Sequence, residues 1–206
     1  MITEIEGIKV GHWTDSNAQT GCTVILFPQE TVASGEIRGG APATRDFALL
    51  EPTRLVDQIN AVVLSGGSAF GLSACSGVME FLEEAKIGFS TSAGKVPIVV
   101  GLSLFDLGSG SSTVRPGHQE GKEAASVASA IAPLGRVGAG AGATVSKWRG
   151  KEFSELGGLG GATLREGNLI VSCLIAVNAS GDIDFGEYPD KIRDGHFSIP
   201  KLNPFE

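Results

Sequence analysis

Two polar residues close apolar segments, where an amine or an amide is costly unless it is used. Lys147 ends the glycine-rich stretch Gly135–Ser146, and Asn178 ends the apolar run Leu169–Val177. A lysine held against apolar surroundings has a lowered pKa, which suits it to proton exchange. An amide fixed at the end of a rigid strand can donate to a developing oxyanion. The same residues also read as a solvent-seeking lysine at a strand end and an asparagine opening the turn Asn178-Ala-Ser-Gly181. Spacing alone leaves both readings open. A third feature is the small turn Ser65–Ser68, containing Gly66-Gly67. It joins an apolar run, Ala61–Leu64, to a segment with helical periodicity, Ala69–Ala85. A strand passing into a helix this way aims backbone N–H groups at one spot, suited to a carboxylate, phosphate or oxyanion. The other reading is an ordinary tight turn with glycine for close packing.

Other chemistries lack their patterns. His12, His118 and His196 are scattered, without metal-ligand spacing, so neither metal nor cofactor is expected. No GxSxG elbow is present. Gly138-Ala-Gly140-Ala-Gly142 is not followed by an amphipathic helix and a distal acid, as a dinucleotide site requires. Cys22, Cys75 and Cys173 lie in apolar runs and read as small core residues in a reducing compartment.

The elements that must position these residues follow from the pattern. Strands are expected at Gly21–Phe27, Thr31–Arg38, Ala61–Leu64, within Val96–Leu107 with a turn at Gly101, and as a buried strand over Asn168–Asn178. Helices are expected at Ala69–Ala85 and His118–Ala132, with a short helix start at Pro52–Gln58. The density of glycine at Gly138, Gly140 and Gly142 predicts that a partner backbone comes very close there. Strands outnumber helices and several are adjacent, which argues for helices packed on antiparallel or mixed sheets. The 206 residues, 42% hydrophobic and 19% charged, suit one domain with a large core. Residues 183–206 lose periodicity and read as an extended tail. The net charge of -7, with no basic cluster, makes nucleic acid and anionic membrane poor partners. No stretch has the length of a membrane span, so a cytoplasmic protein is expected.

Taken together, the segments resemble the DmpA-like aminopeptidase family, self-processing N-terminal-nucleophile amidohydrolases that include β-aminopeptidases and nylon-oligomer hydrolases. The matching motifs are Thr20-Gly-Cys-Thr-Val-Ile25, Arg38-Gly-Gly-Ala-Pro-Ala-Thr-Arg45, Leu64-Ser-Gly-Gly-Ser-Ala-Phe-Gly-Leu72, Val96-Pro-Ile-Val-Val100 with Leu104-Phe-Asp-Leu107, Val137–Lys147, Gly157-Gly-Leu-Gly160 and Ala176-Val-Asn-Ala-Ser-Gly-Asp182. They run in family order from about Gly7 to Asp182.

The resemblance implies an α/β fold, a four-layer αββα sandwich shared with ornithine acetyltransferases. It implies a precursor that cuts itself before a Ser or Thr, which becomes the nucleophile of a β fragment. Lys147 and Asn178 then fall on active-site positions, and Gly66, Gly67, Ser68, Phe70 and Phe105 on stretches lining the substrate pocket. No nucleophile motif follows Asn178 before Glu206. The expectation is therefore an α fragment whose partners are its own β fragment and a small peptide or amide substrate. The apolar excess for this size points to a homo-oligomer of α/β units. Two rivals stand beside it. One is a non-enzymatic anion- or ligand-binding protein built on the Gly66-Gly67 turn. The other is an acyltransferase on the same fold with Thr163 as nucleophile.

Overall fold

The computed structural model describes residues 1–184. Nearly all of the expected tail, 183–206, lies outside them. The elements in order are strands β1 (Lys9–Asp15), β2 (Thr20–Leu26), β3 (Thr44–Arg45) and β4 (Ala61–Ser65), helix α1 (Ala74–Glu84), strands β5 (Phe89–Thr91), β6 (Gly94–Val96) and β7 (Val99–Ser103), helix α2 (His118–Ser126), and strands β8 (Thr144–Val145), β9 (Glu155–Leu156), β10 (Gly158–Glu166) and β11 (Leu169–Val177).

The main sheet has the order β1-β2-β4-β7-β3. Neighbours run antiparallel except β4 and β7, which are parallel and joined by a crossover carrying α1 and the β5–β6 hairpin. The central strands read as unbroken apolar runs because both faces are covered. On one face Cys22, Val24, Val63 and Val99 meet Cys75, Val78 and Leu82 of α1 and Ala124 and Ala125 of α2. On the other, Val10, Ile25, Val62 and Leu64 pack with Leu174 of β11. The two helices approach closely because each offers a glycine to the other. A Cβ on Gly77 would lie 1.8 Å from the His118 carbonyl oxygen, and one on Gly121 would lie 2.0 Å from that of Ala74.

The fold is thus a mixed α/β sandwich, as expected. Helix pair, five-stranded sheet and β10–β11 hairpin supply three successive layers in the αββ order. The hairpin turns tightly at Gly167, whose φ of +58° suits the first position of a two-residue loop. Its outer face is bare. Leu164, Leu169, Val171, Cys173 and Ile175 are all exposed there.

Several elements differ from expectation for identifiable reasons. Thr31–Arg38 forms only one bridge, Val32 to Gln58, because its apolar residues Val32 and Ile37 are exposed and bury nothing. The short helical turn falls at Phe47–Leu50, whose apolar side chains pack with Ile59 and Val100, rather than at Pro52–Gln58, where Leu55 is exposed. Gly101 lies inside β7 rather than in a turn, since a Cβ there would sit 2.5 Å from Cys75 Sγ on α1. The segment expected as one helix from Ala69 begins as a 3-10 helix, Ser68–Ser73, before α1. Helix α2 stops at Ser126, and Ser129 exchanges backbone hydrogen bonds with Val10 at the edge of β1. The 169–177 strand is not buried; every second residue faces outward. No helix among the described residues is long and apolar enough to cross a membrane.

Candidate active site

Lys147 and Asn178 come from segments 31 residues apart and meet at the end of β11. Ser146, which precedes the lysine, is buried and left-handed, with φ +61°. A non-glycine residue held there costs on the order of 1–3 kcal/mol, a strain concentrated at functional sites. Neighbouring backbone bonds hold it. The Ser146 N–H donates to the Gly181 carbonyl at 2.9 Å and the Trp148 N–H to that of Ser180 at 3.0 Å.

This turn aims Lys147 back at the asparagine. Its Nζ donates to Asn178 Oδ1 at 2.9 Å, to the Thr144 carbonyl at 2.8 Å and to the Asn178 carbonyl at 3.3 Å. An ammonium has three donors, and each finds an acceptor here. None of these acceptors is a carboxylate, and burial holds the Lys147 pKa below the usual lysine range. Asn178 is held at both ends. Its Oδ1 also accepts the Thr144 N–H at 3.0 Å, and its Nδ2 donates to the Phe105 carbonyl at 2.9 Å. Among the described residues, the second Nδ2 hydrogen has no acceptor.

Segment 104–106 ties this pair to the glycine turn. The Leu104 carbonyl accepts the Ser68 N–H at 3.0 Å. Asp106 Oδ1 accepts the Gly67 N–H at 2.6 Å, and its Oδ2 accepts the Thr20 hydroxyl at 2.8 Å. Gly66 and Gly142 close over the carboxylate; a Cβ on either would lie 2.1 or 2.8 Å from Oδ2. Asp106 is buried, and burial pushes its carboxyl above the ordinary range despite the two hydrogen bonds. The anion that the Gly66-Gly67 turn holds is therefore this chain's own. The Gly66 N–H is also engaged, with the Gly21 carbonyl at 2.8 Å.

Segment 104–106 thus links Lys147 and Asn178, through Phe105, to Gly67 and Ser68, with Gly66 adjoining in the same turn. Phe70 follows Ser68 on the 3-10 turn; it is 59% exposed and Phe105 is 55% exposed. Sequence reasoning missed Asp106, Thr20 and Ser146. A carboxylate inside the apolar Leu104-Phe-Asp-Leu107 was the available signal for the first. For the left-handed Ser146 there was none. Close approach exists at Gly138, Gly140 and Gly142, but to this chain's own atoms: the Thr23 and His12 side chains at Gly138, and backbone at Gly140 and Gly142. A Cβ on Gly140 would meet the Gly135 carbonyl oxygen at 2.5 Å, and one on Gly142 that of Gln19 at 2.0 Å.

Thr163 lies elsewhere. Gly158, opposite Val177, is five residues back along β10, which places Thr163 roughly 17 Å from the strand end that carries Asn178. Its hydroxyl bonds to Ser172 Oγ at 2.9 Å and to the Met1 amine at 2.6 Å. Cys22 and Cys75 are core residues whose thiols burial pushes up to about 12 and about 11. Cys173, expected in the core, is on the bare face of the hairpin. Two surface clefts are present, one beside Gln58, Asn60, Phe89 and Lys95, the other beside His12, Val127 and Ile131. Neither includes Lys147 or Asn178. Among the described residues, no three His, Cys, Asp or Glu side chains are grouped to hold a metal ion.

The family model for Peptidase family S58 matches residues 1–192. The chain belongs to peptidase family S58. Among S58 relatives, the uncharacterized aminopeptidase Rv1333 of Mycobacterium tuberculosis is 40% identical over 190 residues, covering 88% of this chain and 54% of that protein. The 6-aminohexanoate-oligomer endohydrolase of a Kocuria species is 28% identical over 183 residues, covering 87% and 48%. The S58 chain therefore spans about half the length of the curated relatives it matches. Two solved structures share its fold. A Burkholderia β-aminopeptidase superposes with TM-score 0.64 at 19% identity over 86% of this chain and 51% of that one. The L-aminopeptidase D-Ala-esterase/amidase of Ochrobactrum anthropi, described as a variant of the Ntn hydrolase fold, does so with TM-score 0.64 at 15% identity over 86% and 52%.

Proposed function

We propose that this S58 chain is the α part of a self-cleaved N-terminal-nucleophile aminopeptidase or amidase, acting on small peptide or amide bonds. A β part supplies the Ser or Thr nucleophile. The observation that carries the reading is the Lys147–Asn178–Phe105 cluster at the end of β11. The bare apolar face of β10–β11 supports it, since a further layer is needed to bury Leu164, Leu169, Val171 and Ile175.

In this mechanism the nucleophile's own α-amine takes the proton of its hydroxyl as the oxygen adds to the substrate carbonyl carbon. The free Nδ2 hydrogen of Asn178 donates to the oxyanion. Lys147 and Phe105 fix the asparagine so that it does not reorient during reaction. The amine leaves with the proton, and water then releases the acyl group from the nucleophile. Desolvated Lys147 gives up a proton more readily than an exposed lysine, which suits it to proton traffic beside the nucleophile.

Mass spectrometry of the purified full-length gene product tests the reading. Two co-purifying fragments are expected, the second beginning with Ser or Thr, and mutating that residue abolishes amide hydrolysis. A single intact chain with undiminished hydrolysis would refute it. A cut before Thr163 would move the nucleophile to β10 and favour acyl transfer.

A further inference from the structure

Arg115 stands against the Gly66-Gly67 turn and has no role in the chemistry above. Its Cβ lies 3.1 Å from the position a Cβ on Gly67 would take, so the side chain starts in contact with the turn. Three features fix the guanidinium. Its Cζ lies 3.8 Å from the centroid of the Phe70 ring. Its Nε donates to the Ser112 carbonyl at 2.8 Å. The following residue, Pro116, is fully buried and anchors the backbone. The two terminal nitrogens, Nη1 and Nη2, have no hydrogen-bond or ion-pair partner among the described residues.

A stacked guanidinium keeps its plane and leaves its Nη edge open. That edge matches a carboxylate in fork geometry, with two parallel N–H···O bonds. The segment Ser109–Gly117 contains no second basic residue; of those that follow, His118 contacts Glu80 and Lys122 is paired with Glu80 and Glu84. One positive charge with a planar fork suits a singly charged planar anion better than a phosphate.

We propose that Arg115, stacked on Phe70, is a carboxylate-binding specificity residue, selecting substrates with a free carboxylate near the scissile bond, such as very short peptides with an unblocked C-terminus. The proposal rests on the aminopeptidase reading for its place in turnover, but not for the binding of the anion itself.

The test has two arms on the processed, full-length protein. In the first, the Arg115 Nε–H resonance is followed by NMR while acetate, and separately acetamide, is titrated. A saturable shift with acetate and none with acetamide is expected; no acetate response at Arg115 overturns the proposal. In the second, alanyl-glycine and alanyl-glycinamide, which share a scissile bond, are compared for wild type, Arg115→Gln and Arg115→Lys. The acid-to-amide ratio of kcat/KM is expected to fall about tenfold in Arg115→Gln, through KM, the weight of a forked charge-assisted pair. Arg115→Lys restores part of it. Hydrolysis of both substrates with an unchanged ratio overturns the specificity role and leaves the aminopeptidase reading intact. An acetate response without hydrolysis of either substrate sustains the anion site and counts against that reading. A purely structural Arg115 would lower the melting temperature without moving the ratio.

Discussion

Asn178→Ala is the most informative substitution. It deletes the acceptor for the Thr144 N–H and one of the three acceptors of Lys147, and it deletes the donor to the Phe105 carbonyl. Lys147 keeps the Thr144 and Asn178 carbonyls. Two backbone groups lose their partners, at a net cost of about 1 kcal/mol each where water can partly replace them, so the variant loses about 2 kcal/mol. For a chain of this size that lowers Tm by about 4–8 °C. Turnover is expected to fall on the order of a hundred- to thousandfold, as for other lost oxyanion donors. Asn178→Asp separates the two effects. It keeps both acceptor interactions and gives Lys147 a carboxylate, but sets an oxygen against the Phe105 carbonyl; the ion-pair gain and that loss offset, so its stability stays within about 1 kcal/mol of wild type. It has no donor, so its turnover falls with that of the alanine variant. The assay is thermal melting and hydrolysis of a small amide by correctly processed protein. If both variants turned over within about threefold of wild type, against the loss expected for an oxyanion donor, the asparagine would have no catalytic part.

Three further outcomes follow from the site. Asp106→Asn keeps an acceptor for the Gly67 N–H and a partner for Thr20 while removing a buried charge. Because the folded carboxyl is raised, wild type binds a proton more readily when folded, and its stability falls as pH rises from the unfolded carboxylate range through the folded pKa. Urea melts should therefore show Asp106→Asn at least as stable as wild type at pH 7, with the difference shrinking in acid. For Lys147 the folded pKa is lowered, so the unfolded chain binds more protons between the folded and unfolded values, and wild type gains stability relative to Lys147→Met as pH rises toward the ordinary lysine range. Melts at neutral and alkaline pH check the sign. Gly142→Ala puts a Cβ 2.0 Å from the Gln19 carbonyl oxygen, a backbone atom that cannot swing away, and should cost about 3 kcal/mol in a denaturant titration.

How far the sequence could be read depended on what each residue answers to. The strand at Ala61 and the 169–177 strand were legible because apolar runs answer to burial and pairing, which act locally. Lys147 and Asn178 were visible as polar residues ending apolar segments, but their contact was not, since nothing in the sequence says that 146–148 docks on 180–181. The Gly66-Gly67 turn was correctly placed, yet its N–H groups proved to hold Asp106, 39 residues away in sequence from Gly67. The glycines at 138–142 signalled a close approach but not whose backbone approaches. The 168–178 strand reads as buried in the sequence because an apolar run looks the same whether its second cover lies within the chain or beyond it.

If the chain is cut as proposed, the β10–β11 hairpin would also set an order of events. A strand pair with apolar side chains outward, bridged at its β10 edge only by Gly135 to Leu159 among the described residues, is a template for aggregation. If cleavage came before the remaining layer had docked, it would release a chain exposing Leu164, Leu169, Val171 and Ile175 to every other copy in the cell. On the proposed two-part reading, keeping both parts on one polypeptide until the layers had met would hold the cover at high effective concentration. Under the proposed self-cleavage, a late cut would serve as a checkpoint: only a molecule that had already hidden this surface would become two chains.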